Sequence, residues 1–248
     1  MKYNIFILED SKLFGNAYKD YLSEHNVFLF GNFSEAVNFV NSPDFSKIDL
    51  AILDVNIGKG LKIGGFNIAF QILKINPSLP IVICTGFKDD EDVKKYTKLL
   101  KTELIEKPFT REISATIERI MNNRQNEEIH SLEALIRSFI TSGIYLRQLI
   151  TFNYKLQGEH LSLLDKLTTV EQNTISDIEK IDRKIDNNNI VFDINLLNKN
   201  DIIFYIDTIL SLSKSFLLNR PEIDEEERKM ADEIYTSGEF LKEKLLNG

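Results

Sequence analysis

Glu9-Asp10, Asp54, Thr85 and Lys107-Pro108 are spread through the first half of this 248-residue chain, each at the end of a short apolar run. Acids gathered at one place repel one another unless a cation sits among them. A hard divalent ion with oxygen ligands, Mg²⁺ above all, resolves that conflict. One carboxylate can then attack a phosphoryl group and form an acyl phosphate. The ion and a lysine ammonium would offset charge on the transferring oxygens.

Such chemistry needs a frame that carries residues far apart in sequence to one edge. Apolar runs at residues 3–8, 27–30, 48–53, 80–84 and 103–105 have the length and β-branched content of strands buried on both faces. Helical patterns fall between and after them, at about 12–23, 34–41, 65–75, 89–100 and 110–121. Ser34 with Glu35 behind it suits a helix N-cap, and Asn76-Pro77 suits a helix stop. Five strands alternating with five helices predict a doubly wound parallel sheet, in which ligands sit at the carboxyl ends of the strands. Those ends are where the acids, the threonine and the lysine stand.

The order of acid pair, Leu53-Asp54, Thr85-Gly86 and Lys107-Pro108-Phe109 resembles the response-regulator receiver family over about residues 1–122. The resemblance implies a flavodoxin-like α/β fold and roles for particular side chains. Glu9 and Asp10 would hold Mg²⁺, and Asp54 would ligate it and accept the phosphoryl group. Asn56 would give the ion a backbone carbonyl. Thr85 would bond a phosphoryl oxygen, and Lys107 would pair with the phosphate before a cis-proline step at Pro108. It also implies a sensor histidine kinase or phosphotransfer protein as partner, and a protein that is not an enzyme beyond its own phosphorylation and dephosphorylation. Three departures stand out. Leu104 occupies the place of the family's aromatic switch residue, residues 55–65 form a longer loop than usual, and bulky Phe87 sits two after Thr85.

Beyond about residue 122 the texture is all helical, which sets a division into 1–122 and 123–248. Ile129, Leu132, Ile136, Phe139, Gly143, Leu146 and Ile150 follow an a/d repeat. A second helix is expected at about 159–185, ended by Asp186-Asn187-Asn188-Asn189, and two more at 201–218 and 222–246. A long helix through residues 122–126 would join the halves. The stripe calls for a partner, either a second copy in a homodimer or the following helices. The helical half therefore reads as a protein-interaction or dimerisation module. His130, beside the stripe, loosely resembles a phosphotransfer histidine, which keeps open a relay or phosphatase reading. Glu171-Gln172-Asn173 and Gln148 supply the acid and amide types that such phosphatases use, without their spacing.

Residues 1–124 carry 16 charges of each sign, so the net charge of −8 falls on residues 125–248. A DNA-binding module needs a basic face, and this half has the opposite sign. No apolar run is long enough to span a bilayer, and the single Cys84 suits a reducing cytoplasm, the expected location.

Overall fold

The computed structural model describes residues 1–57, 64–86, 91–110, 112–123, 131–153, 159–188, 196–214 and 225–247. Contacts divide the chain into two compact units, Met1–Ala134 and Leu135–Gly248.

The first unit contains five parallel strands, β1 (Asn4–Leu8), β2 (Asn26–Phe30), β3 (Leu50–Leu53), β4 (Ile81–Thr85) and β5 (Glu103–Glu106), in the order β2-β1-β3-β4-β5. Helices α1 (Lys12–Tyr21), α2 (Phe33–Val40), α3 (Gly64–Ile75), α4 (Glu91–Leu99) and α5 (Glu112–Asn123) alternate with them. This is the expected doubly wound sheet. The reversal of strand order between β1 and β3 opens a crevice at their carboxyl ends.

Side-chain alternation along the strands builds two cores. Ile5, Ile7, Leu50, Ile52, Val82 and Cys84 pack with Tyr18 and Leu22 at α1 and with Ile113 and Ile117 of α5. On the other face Phe6 stacks on Phe30 at 5.0 Å, and Phe39 of α2 lies 4.8 Å from Phe30. The central strands β3 and β4 are buried throughout, as their continuous apolar runs require. The edge strands β2 and β5 are only partly covered, which departs from the expectation that every strand is buried on both faces.

Local details also differ. The cap of α2 is Asn32, not Ser34, because the Asn32 side chain accepts the Glu35 N–H at 2.8 Å. Residues 87–90, with Phe87, and residues 58–63 of the long loop lie outside the described residues, as does the proposed helical join at 124–126.

The second unit is helical. It takes most of α6 (Ser131–Asn153), then α7 (Glu159–Asn188), α8 (Lys199–Ser213) and α9 (Glu225–Asn247). The α7 helix continues to Asn188, past the stop expected at Asp186. Capped by the Asn198 side chain, α8 begins at Lys199, two residues before the expected start at 201.

Of the apolar stripe, Ile136, Phe139, Gly143 and Leu146 of α6 are covered within the chain, while Ile129 and the Ile150 side chain lie outside the described residues. Tyr205 of α8 donates to the Ile140 carbonyl at 3.1 Å, and a Cβ at Gly143 would meet the Tyr205 hydroxyl at 2.5 Å. Gly143 is therefore the space into which Tyr205 fits. The stripe is not an open coiled-coil seam, since residues 133–144 are all buried. Two arginines of α6 pair with acids of α7. Arg137 makes a bidentate contact with Asp182 (3.1 and 2.7 Å), and Arg147 makes one with Glu171 (3.0 and 3.0 Å). Partners that descend on α7 as they climb on α6 make these two helices antiparallel. Among the described residues, no helix is long and apolar enough to cross a membrane.

Candidate functional site

Strand register builds the site. Leu8 pairs with Leu53, so the residues that follow them, Glu9 and Asp54, emerge side by side. Two backbone bonds extend the ladders past their ends: the Asp54 N–H donates to the Leu8 carbonyl at 3.0 Å, and the Glu9 N–H donates to the Phe30 carbonyl at 2.9 Å. Thr85 pairs with Glu106, and the Lys107 N–H donates to the Thr85 carbonyl at 2.9 Å, which brings the lysine across from β5. The Lys107–Pro108 peptide is cis.

The side chains converge at that crevice. Carboxylate oxygens of Glu9, Asp10 and Asp54 lie within 4.8 Å of one another. Lys107 Nζ is 2.7 Å from Asp54 Oδ2 and also pairs with Glu9 Oε2. The second oxygen of each acid is held by backbone: Glu9 Oε1 accepts the Ser11 N–H at 3.1 Å, and Asp54 Oδ1 accepts the Asn56 N–H at 3.2 Å. Asp10 is exposed, Glu9 and Asp54 are buried, and Thr85 is fully buried at the end of β4.

Burial raises both buried acids above their ordinary values. For Glu9 it outweighs the pull of Lys107, and repulsion from Asp54 adds to the rise. For Asp54 it outweighs Lys107 and the Asn56 amide, with Asp10 adding to the rise. Burial alone would lower Lys107, but Asp54 and Glu9 more than offset it, so the ammonium is raised and stays charged. Burial also pushes the Cys84 thiol up to about 12, which keeps it protonated and inert.

Three carboxylates with all-oxygen donors on a cleft rim suit a hard divalent cation. Residues 5–118 match the model of the response regulator receiver domain.

This segment is a receiver domain.

Solved receiver domains are among the structures to which the chain is similar. The non-phosphorylated HemR receiver domain from Leptospira biflexa is 25% identical with a TM-score of 0.41, over 52% of this chain and 99% of that one. The signal receiver domain of a modulated diguanylate cyclase from Desulfovibrio desulfuricans is 24% identical with a TM-score of 0.44, over 52% of this chain and 100% of that one. The BeF3-activated DrrB receiver domain is 21% identical with a TM-score of 0.42, over 50% and 99%. No curated protein matches the chain.

The fold thus brings Glu9, Asp10, Asp54 and Lys107 together, with Asn56 bonded to Asp54 and Thr85 hydrogen-bonded to Lys107 through backbone. Leu104 is half-buried on β5 of the receiver. His130 lies outside the described residues. Glu171 is not on a solvated face: it is buried and committed to Arg147, which removes it from the phosphatase reading.

Two contributors escaped the sequence reading. Gly65, in the first turn of α3, lies directly against the Asp54 backbone: a Cβ there would lie 2.1 Å from the Asp54 carbonyl oxygen. Phe14, on α1, has its ring centroid 4.9 Å from Lys107 Nζ. A glycine eleven residues after the acid was visible in sequence, but only the close approach gives it meaning.

Proposed function

We propose that this receiver is phosphorylated on Asp54 in a Mg²⁺-dependent reaction and that the helical unit transmits the result as a protein-interaction module. The observation that carries it is the Lys107 ammonium bridging Glu9 and Asp54 beside Asp10. An Asp54 carboxylate oxygen attacks phosphorus, the bond from phosphorus to the donor's leaving group breaks, and that group departs with the electron pair. Glu9, Asp10, Asp54 and the Asn56 carbonyl would hold Mg²⁺, which supplies positive charge to the phosphoryl oxygens when bound. Lys107, kept charged by its acids, can follow a phosphoryl oxygen as Asp54 becomes an acyl phosphate. Thr85, next to Lys107 through the β4–β5 ladder, offers a hydroxyl at the end of β4.

A sensor histidine kinase or phosphotransfer protein is the donor this chemistry calls for. The proposed activity is acceptance and loss of a phosphoryl group, not turnover of a separate substrate. The acidic charge of residues 125–248 favours a protein partner or a second copy over nucleic acid. Isothermal titration of the full chain with beryllofluoride and Mg²⁺ tests the reading. Binding that needs Mg²⁺ and vanishes in Asp54→Asn supports it; equal binding by wild type and Asp54→Asn sinks it.

A further inference from the structure

We infer that Phe14 is a positioning residue of the Asp54 site, its ring face holding the Lys107 ammonium in place. The inference deepens the proposed function and rests on it for the ligand, though not for the geometry.

A lysine ammonium is a point charge on a flexible four-carbon stem, so the protein must fix its direction by other means. It carries three N–H donors. The Lys107 side chain is only 6% exposed, which leaves little water to serve them. Two partners are the carboxylates of Glu9 and Asp54. The third is the Phe14 ring, 4.9 Å from Nζ to centroid and inside the range where the ring quadrupole attracts a cation. Among the described residues these three account for the ammonium.

Phe14 is itself held. Its ring lies 5.9 Å from Phe109, and Phe109 packs at 4.3 Å on Tyr18, a fully buried residue one turn further along α1. Ser11, the N-cap of α1, donates its N–H to Glu9 Oε1. Positions 11, 14 and 18 share one helix face. One face of α1 therefore grips both members of the Glu9–Lys107 pair, Glu9 through backbone and Lys107 through an aromatic ring. An aliphatic residue at 14 would keep the packing on Phe109 and lose only the hold on the charge.

The test uses the full chain in two measurements. In lysine-labelled protein without ligand, the Lys107 ε-methylene resonance, assigned by its absence in Lys107→Met, should be ring-shifted upfield. The shift should disappear in Phe14→Leu and persist in Phe14→Tyr. In a double-mutant cycle of beryllofluoride affinity with Mg²⁺ present, Phe14→Leu should weaken binding about 3- to 10-fold, the range of a partly desolvated cation–π contact. Phe14→Tyr should restore it, and Phe14→Leu should add nothing in a Lys107→Met background. An unshifted Lys107 resonance, or equal losses with and without Lys107, would overturn the inference. A wild type that ignores beryllofluoride would defeat the proposed function instead, and the ligand-free resonance would still decide the role of Phe14.

Discussion

Replacing Gly65 by alanine should injure the segment around Asp54 more than any change of equal size nearby. The new Cβ would stand 2.1 Å from the Asp54 carbonyl oxygen, 2.8 Å from its carbonyl carbon and 3.1 Å from Val55 Cα. All three are backbone atoms, so no side chain can swing aside. Comfortable heavy-atom contact begins near about 3.5 Å, so α3 and the segment after β3 must part by about 1 Å. Overpacking of this kind costs about 1–3 kcal/mol, and a backbone-on-backbone clash belongs at the upper end, about 3 kcal/mol. Alanine gains little helix propensity in return, since Gly65 lies in the first turn of α3. Gly86→Ala is the matched control, because a Cβ there meets nothing within 4 Å. It should leave stability within about 0.5 kcal/mol of wild type. Native-state hydrogen exchange at β1 and β3 amides reads the first unit separately from the second. Global-opening exchange should speed up about 100-fold in Gly65→Ala, the equivalent of its free-energy loss, and hardly change in Gly86→Ala. Equal exchange in the two variants would refute the reasoning, since it would mean the close approach carries no energy.

Other consequences follow from the same contacts. Burial raises Asp54 and Glu9, so the folded state holds protons more tightly than the unfolded chain, and stability falls as pH rises from the unfolded carboxylate values through the raised ones. Lys107 is raised as well, but its contribution is lost only as pH climbs through its own folded value, far above that window. Asp54→Asn should therefore gain on wild type in urea unfolding as pH rises above the unfolded carboxylate range; a difference independent of pH would contradict the burial argument. Arg147→Met should cost the helical unit about 3 kcal/mol by leaving Glu171 charged and buried, and Arg147→Met with Glu171→Leu should recover most of it in denaturant melts. Gly143→Ala should destabilise the same unit by about 2 kcal/mol, and Tyr205→Phe should partly rescue it because the hydroxyl is the closest atom; additive losses would speak against that packing.

The receiver was legible in sequence for a specific reason. Each chemical residue follows an apolar run too short for a helix, and a parallel sheet places all such runs' carboxyl ends along one edge. Once β1 and β3 are neighbours, Glu9 and Asp54 must meet, and β5 beside β4 carries Lys107 in from the other side. Gly65 and Phe14 were not legible, because their meaning is a distance across the fold: a helix start against a carbonyl, a ring against an ammonium. Asn32 and Ser34 are both good caps by type, and only the reach of the Asn32 side chain to the Glu35 amide chooses between them. In the helical half the a/d stripe marked one buried face of α6 and missed that residues 133–144 are buried on every face. Arg137 and Arg147 look like solvent-facing residues in a periodicity count, and Asp182 and Glu171, which neutralise them, lie 45 and 24 residues away.

The central claim is that Asp54 is the residue that carries the phosphoryl group. The direct measurement is borohydride trapping of the full chain after incubation with a small-molecule phosphodonor and Mg²⁺, followed by peptide mass spectrometry. Reduction of an aspartyl phosphate leaves homoserine at the modified position. Homoserine at position 54, absent without Mg²⁺ and absent in Asp54→Asn, is the result this account predicts. Trapping at Asp10 or Glu9 instead, or an unmodified Asp54 peptide under conditions that phosphorylate a control receiver, would contradict it.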